Sequence, residues 1–195
     1  MNDTFYSIKH STTATYKEKG SKFLACAYPV ESEQDVKNHL ETLRKKYYDA
    51  THHCFAYMLG AKGEKWRAND DGEPSHSAGT PILNQIKSKG ISDVLVVVVR
   101  YYGGVKLGVS GLIQAYKTAA ALALEEAKLQ EKQISKVFNI SYNYSDTSRV
   151  MNLVNRWGLS IFSQSFDLFC HLQLACKLSQ WEQVAADFAE WITIE

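Results

Sequence analysis

The segment Val94-Leu-Val-Val-Val-Val99, followed by Arg100-Tyr-Tyr-Gly-Gly-Val-Lys-Leu-Gly-Val-Ser-Gly111, decides the fold of this chain. Six aliphatic residues without polar alternation are typical of a strand that is covered on both faces. The glycine-rich turn then leads into a long helix whose apolar stripe, from Leu112 to Ala127, contains many alanines. Because alanine allows close packing, we predict that this helix lies on a sheet containing the 94–99 strand.

The turn between this strand and this helix is a candidate anion site. Four of its residues are glycines, Gly103, Gly104, Gly108 and Gly111. Glycine allows sharp turns and a close approach of the backbone to a ligand. The unpaired N–H groups at a helix start attract phosphate, and Arg100 and Lys106 would add charge at the same rim. The spacing matches neither a Walker A loop nor the dinucleotide G-x-G-x-x-G pattern. The alternative is that the glycines only permit tight packing of strand and helix.

The sequence before this segment predicts more elements of the same domain. Ser32, with Asp35 three residues later, is typical of a helix N-terminus. The apolar positions that follow Ser32 continue at helical spacing for about four turns. The other predicted elements are strands over residues 22–30, 53–59 and 66–68 and a helix over 79–89.

The composition changes near residue 130, where the polar stretch Gln-Glu-Lys-Gln is interpreted as a linker. The elements predicted beyond it are a strand over 137–144, a helix over 147–157 ended by Gly158, strands over 159–162 and 166–174, a helix capped by Ser179, and a short strand over 192–194. This order indicates a small split βαβ sandwich. We therefore predict two α+β domains, residues 1–131 and 132–195.

An acidic turn precedes the 79–89 helix and contains Asp70, Asp71 and Glu73. Three carboxylates on a loop would suit Mg²⁺, or one of them would act as a base. Turns rich in Asn, Asp, Gly and Pro are also ordinary connectors, and the sequence favours that interpretation.

Two adjacent histidines, His52 and His53, lie where the predicted 53–59 strand begins. His52 and Cys54 share one face of the strand, and His53 points to the other. A core cysteine or a hydrogen-bonded histidine is commoner than a catalytic pair, so His52 and His53 are weak catalytic candidates.

The overall composition is that of an ordinary globular protein. Of 195 residues, 45% are hydrophobic and 22% are charged, with a formal net charge of +1. This balance disfavours nucleic-acid binding driven by bulk charge. The four cysteines include no C-x-x-C pair, so we expect reduced core residues and no metal or other cofactor. Without a signal-like N-terminus or the roughly 20 apolar residues of a membrane span, a cytoplasmic location is expected.

Four short segments also form a recognisable set of motifs. They are Ser21–Ala25, Thr51–Tyr57, Asn69–Ser75 with Ala78–Leu83, and Val98–Gly108 with Gly111, Leu112, Ala115 and Tyr116. In this order they resemble the IMPACT family, in particular its bacterial YigZ-like branch. The resemblance rests on motifs over about residues 15–127 and only on layout beyond. The chain has His76, Ser110 and Gln114 where that family usually has glycine, glycine and arginine.

The resemblance implies an N-terminal domain similar to the second domain of a small-subunit ribosomal protein, and a ferredoxin-like C-terminal domain. It also implies a link to translation. Eukaryotic members of the family are regulators that compete, by binding protein, with an activator of a starvation-responsive translation kinase. Bacterial members have no agreed activity, so this analogy of fold is only a guide to function.

The function that we predict is a non-enzymatic, cytoplasmic regulatory protein that binds RNA, the ribosome or a translation-associated protein. Its binding edge would combine the glycine turn, Arg100, Lys106 and the acidic loop. The alternative is a Mg²⁺-dependent enzyme acting on a phosphorylated small molecule or nucleotide, in which Asp70 or Asp71 holds the metal and His52 or His53 moves a proton. A third possibility is protein–protein regulation without nucleic acid.

Overall fold

The computed structural model describes residues 3–193, which form a mixed α/β protein with several antiparallel sheets. Its strands within this range are β1 (Thr4–Ile8), β2 (Thr12–Glu18), β3 (Ser21–Pro29), β4 (His52–Leu59), β5 (Lys65–Asn69), β6 (Val94–Tyr101), β7 (Leu129–Gln133), β8 (Ser135–Tyr142), β9 (Ser160–Phe166) and β10 (Cys170–Lys177). The helices are α1 (Glu33–Lys46), α2 (Gly79–Lys89), α3 (Gly108–Glu125), α4 (Thr147–Trp157) and α5 (Trp181–Asp187). Contacts divide the chain into two compact units, one of residues 5–132 and one of the described residues before and after that range.

The first unit is built on a five-stranded antiparallel sheet in the order β2-β3-β6-β4-β5. The central strand is β6, and each residue from Val94 to Val99 is completely buried. The prediction of a strand covered on both faces is therefore confirmed. Helices α2 and α3 share one apolar core with the sheet, and α1 shares another. The sheet thus lies between two helical layers, with the start of α3 near the end of β6.

The sequence signals at the start of α1 are confirmed. The Ser32 hydroxyl accepts the N–H of Asp35, and the Asp35 carboxylate accepts the N–H of Ser32 in return. This reciprocal capping box satisfies two N–H groups that the helix cannot pair internally. The prediction of a partner strand near residues 66–68 is also confirmed, since β5 pairs antiparallel with β4.

The polar stretch near residue 130 is not a linker. Residues Leu129–Gln133 form β7, which pairs with β1 in a two-stranded sheet. Neither β1 nor β2 was predicted from the sequence. The partner that gives β7 its backbone hydrogen bonds lies more than 120 residues earlier, so no local pattern indicates it. Helix α3 also begins earlier than expected, so Gly108 and Gly111 lie in its first turn rather than in the preceding loop.

The second unit contains a three-stranded sheet in the order β8-β10-β9, with α4 and α5 contributing to one apolar core. Gly158 ends α4 in the left-handed conformation, as predicted. Strands β9 and β10 lie a few residues later in the chain than the sequence pattern indicated. Ile192 forms a single antiparallel bridge with Ile140, and the last part of the predicted 192–194 strand lies outside the described residues.

Ser179 does not cap α5. The helix begins at Trp181, after a 3₁₀ turn over Leu178–Gln180, and no side chain caps it among the described residues. The hydroxyl and the N–H of Ser179 both donate to the Asp3 carboxylate instead. The serine is satisfied by a residue from the other end of the chain, which the local sequence does not reveal.

All four cysteines are buried and unpaired, as expected for reduced core residues. Within residues 3–193, none of the helices combines the length and apolar composition required to cross a membrane.

Candidate functional site

A pocket of about 400 Å³ opens at the start of α3. The residues that line it are Glu73, Pro74, Arg100, Tyr102, Lys106, Leu107, Gly108, Val109 and Leu112. The pocket therefore brings together residues from the acidic loop, the end of β6 and the glycine turn. The sequence analysis predicted that these three segments would form one binding edge.

The floor of the pocket is a buried ion pair. Arg100 Nη1 lies 2.5 Å from Glu73 Oε1, and the two side chains are only 6% and 4% exposed. The Tyr116 hydroxyl donates to the same oxygen at 2.7 Å, and Arg100 Nη2 contacts the Ser21 hydroxyl at 3.4 Å. A buried charge requires a partner of opposite sign. Arg100 was expected to add charge at the rim, but its charge is already neutralised by Glu73 below the surface.

The start of α3 is open and uncapped. Leu107 occupies the N-cap position, and among the described residues no side chain accepts a hydrogen bond there. Gly104 and Gly108 have φ angles of 85° and 73°, in the left-handed region that favours glycine, and a Cβ on either would meet no atom within 4 Å. Lys106 between them is exposed. The pocket therefore lies at the uncapped, positive end of the α3 dipole beside an exposed lysine, a combination that favours binding of an anion.

Gly103 has a different role from the two open glycines. Its N–H donates to the Ser21 hydroxyl at 3.2 Å, and a Cβ at this position would overlap the backbone of Gly20 and Ser21. This glycine permits close packing of the turn on the β2–β3 hairpin. The packing explanation therefore applies to Gly103, whereas no close packing requires glycine at Gly104 or Gly108, where anion binding stays a prediction.

Asp70 holds the loop that precedes α2. Its Oδ1 accepts the N–H groups of Ala78 and Gly79 at 3.0 and 2.8 Å, and its Oδ2 accepts the N–H of His76 at 2.9 Å. These bonds satisfy backbone groups at the start of α2, as a capping residue would. Both carboxylate oxygens are engaged, and Asp70 does not line the pocket.

Asp71 ties the same loop to β4 and α1. Its Oδ2 accepts the N–H of His53 at 2.6 Å, and its Oδ1 lies 3.3 Å from Arg44 Nη2. His52 Nδ1 contacts the carbonyl oxygen of Asp71 at 2.7 Å. Because a carbonyl only accepts, Nδ1 carries the hydrogen, and Nε2 is directed toward Glu73, 3.9 Å from Oε1. His52 therefore lies beside the buried carboxylate, whereas Asp71 has a structural role.

His53 faces the opposite side of β4, as predicted from strand alternation. Its side chain is buried in the layer that contains α1, and Nε2 has no hydrogen-bond partner among the described residues. Burial lowers the pKa of His53. Because it lies on the other side of the sheet from the pocket, we do not include it in the site.

Sequence reasoning did not assign a functional role to Tyr116, although the hydroxyl of this buried residue holds the Glu73 carboxylate at the pocket floor. Its hydroxyl also lies 3.3 Å from Cys54 Sγ, and the Cys54 thiol donates to the Asp70 carbonyl at 3.0 Å. Burial raises the pKa of the Cys54 thiol and of the Tyr116 hydroxyl far above their ordinary values. Both groups therefore stay protonated at neutral pH. The sequence feature that could have indicated a role for Tyr116 is its hydroxyl group, which lies within the apolar stripe of α3.

The fold and these motifs define the class of protein. The chain belongs to the IMPACT family, since residues 19–124 match the family model described as the Impact N-terminal domain. It is 32% identical over 197 residues to the IMPACT family member YvyE of Bacillus subtilis, covering 99% of this chain and 87% of the relative. It is 30% identical over 182 residues to the IMPACT family member YigZ of Escherichia coli, covering 91% and 89%.

A solved structure is similar to the whole chain. It is described as the crystal structure of an hypothetical protein, with a TM-score of 0.80 and 26% sequence identity. The match covers 100% of this chain and 99% of the other. The family assignment made from the four sequence motifs is therefore confirmed.

Proposed function

We propose that this protein is a non-enzymatic, cytoplasmic regulatory module that binds single-stranded RNA of the translation machinery at the start of α3. The observation that carries this proposal is the open, uncapped N-terminus of α3 beside Lys106 and Tyr102. The link to translation comes from the IMPACT family resemblance. The same resemblance supports the proposal of two domains, residues 1–131 and 132–195.

We also propose finer fold relationships for the two units. The first would be related to the second domain of a small-subunit ribosomal protein. The second would be ferredoxin-like, because Ile192 pairs beside β8 and gives four positions in the order 192-β8-β10-β9. That order and the β-α-β-β-α succession are the features of the split βαβ motif. Both relationships would suit a protein that works beside RNA.

The electrostatics of the site fit one phosphate group. The helix dipole places about half a positive charge at the start of α3, and Lys106 adds one more. Arg100 contributes no free charge because Glu73 neutralises it. A phosphodiester carries a single negative charge, so one backbone phosphate offsets most of the roughly 1.5 positive charges at the site.

Tyr102 would add contact with a base. Its ring is 47% exposed at the pocket mouth, and the Arg100 guanidinium lies 5.6 Å from its centre. Stacking of a base on an aromatic side chain contributes roughly 1–3 kcal/mol and tolerates any sequence. A phosphate at the helix start and a base on Tyr102 would together hold one nucleotide of a single strand.

The test is fluorescence anisotropy with two unrelated single-stranded RNAs over a range of salt concentrations. Lys106→Ala should weaken binding of both RNAs equally and reduce the slope of log affinity against log salt by about 0.7, the loss of one phosphate contact. Lys117→Ala is the matched control. It is exposed on the same helix, about 14 Å along the axis from Gly108. Equal effects of the two variants, or a wild-type affinity independent of salt, would contradict the proposal.

An enzyme acting on a phosphorylated small molecule is the second candidate. It is favoured by the placement of His52 Nε2 beside the buried Glu73 carboxylate on the pocket floor. The role of Asp70 or Asp71 as Mg²⁺ ligands does not fit, because their carboxylate oxygens already accept hydrogen bonds. Stabilisation of several degrees by one nucleotide in a thermal-shift panel would favour the enzyme. A protein complex that survives nuclease treatment would instead favour a translation-associated protein as partner.

A further inference from the structure

Strand β9 is an open edge of the sheet in the second unit. It pairs with β10 on one side, and within the described residues no strand pairs with its other side. All seven of its residues are exposed. The backbone N–H and C=O groups along the outer side of such a strand are available to another strand.

This edge lacks the charged residues and prolines that commonly protect an exposed strand. The sequence Ser160-Ile-Phe-Ser-Gln-Ser-Phe166 contains no charged residue, no proline and no glycine. Soluble proteins usually protect an exposed edge with lysine, proline, a bulge or a covering segment. A bulge-like irregularity occurs between β9 and β10 and leaves Phe162, the third residue of β9, without a partner position on β10. Phe162 and Phe166 are 64% and 55% exposed, so the edge is apolar as well as open.

The edge is self-complementary when it is paired antiparallel about Gln164. In that register Phe162 lies opposite Phe166 of the second copy, and Ser163 lies opposite Ser165 of the second copy. Gln164 lies opposite itself, and its amide supplies both a donor and an acceptor. The two-fold axis repeats the aromatic pair, and no like charges meet. A two-fold interface requires such self-complementarity, whereas pairing with an unrelated strand does not.

The aromatic pairs would also continue the core of each unit. Gln164 and Phe166 lie opposite Leu172 and Cys170 of β10, and both of those residues are buried in the apolar core. Cross-strand partners point to the same face of a sheet. The phenylalanines of the second copy would therefore meet the open margin of that core. We infer that β9 is a homodimer interface, in which two copies of this chain pair antiparallel through β9 with Gln164 on the two-fold axis.

Cysteine cross-linking tests both the dimer and its register. Gln164→Cys should form an intermolecular disulfide readily under mild oxidation, because cross-strand Cβ atoms lie about 5 Å apart. Ser160→Cys is the matched control on the same exposed strand. In the proposed register two copies of residue 160 are offset by eight positions, about 26 Å, so this variant should not cross-link. The four native cysteines are buried and should not contribute.

Mixtures of two different cysteine variants provide a second test of the register. Phe162→Cys and Phe166→Cys should cross-link when mixed but poorly when each is oxidised alone. Gln164→Lys places two like charges opposite each other and should raise the dimer dissociation constant about fivefold. Ser160→Lys should not have this effect. A monomeric wild type in sedimentation at its highest soluble concentration, or cross-linking of Ser160→Cys as efficient as that of Gln164→Cys, would overturn the inference.

Discussion

Breaking the Glu73–Arg100 ion pair should strongly destabilise the first unit. Glu73→Leu would leave the buried Arg100 guanidinium without a negative partner and with a weak hydrogen bond to Ser21, since Nη1 would lose its partner at 2.5 Å. Arg100→Met would leave the carboxylate with the Tyr116 hydroxyl as its remaining close donor. Removing one member of a buried pair typically costs about 3–5 kcal/mol, because the other charge stays desolvated without compensation.

The double variant should recover much of this loss. Glu73→Leu with Arg100→Met replaces both charges by apolar groups of similar volume, a change that is often nearly neutral. The changes in unfolding free energy caused by the two single substitutions should therefore be strongly non-additive. Their interaction energy should exceed the values found for pairs of residues that are far apart. Arg44→Met provides the control. Its ion pair with Asp71 is formed by an arginine side chain that is 54% exposed, so its loss should cost less than about 1 kcal/mol.

Hydrogen exchange of the β6 amides is the appropriate assay, because the Val94–Val99 segment is at the centre of the affected sheet. A loss of about 3–5 kcal/mol in unfolding free energy makes the amides exchange about 150- to 5,000-fold faster when exchange requires global unfolding. If either single variant fails to fold, recovery of a folded double variant still tests the coupling. Single variants that exchange at the rate of Arg44→Met, or a double variant as unstable as the sum of both, would refute the assignment of the pair as a structural unit.

Three further predictions concern the loops and strands around the site. His76→Gly should raise the unfolding free energy measured by urea denaturation by up to about 1 kcal/mol, because residue 76 has a φ of 63°, which is strained for any residue with a side chain; no gain in stability would contradict this reasoning. Gly103→Ala should destabilise the protein more than Gly104→Ala in the same measurement, because only the first Cβ overlaps backbone; the reverse order would show that conformation outweighs packing. Because burial lowers the pKa of His53, the unfolded chain binds its proton more readily, so stability should fall as pH decreases below about 6.5; His53→Gln should reduce that fall, and an unchanged pH dependence would exclude His53 as its source.

The central strand, the N-terminal cap of α1 and the glycine that ends α4 were predictable because their causes are local. The aliphatic run of β6 and the Ser32–Asp35 pair each contain the full signal within a few residues. The burial of Arg100 was harder to predict from the sequence. It depends on the Glu73 carboxylate, which lies 27 residues earlier in the chain and which the fold brings beneath the glycine turn. Strand β7 and the environment of Ser179 likewise depend on residues near the N-terminus. Periodicity identifies which face of an element is apolar, but not which distant polar group will satisfy a charge.

The neutralised floor of the pocket also distinguishes between the two classes of ligand. With Arg100 paired, the positive character of the site comes from one helix end, contributing about 0.3–2 kcal/mol, and from one exposed lysine. A small molecule bound at micromolar affinity needs about 8 kcal/mol, most of which would have to come from the apolar wall. An RNA strand does not need this much binding free energy at one pocket, because each of its phosphates makes a further contact along the surface. Micromolar binding of inorganic phosphate alone would therefore imply that Arg100 leaves Glu73, and would favour the enzyme over the RNA-binding module.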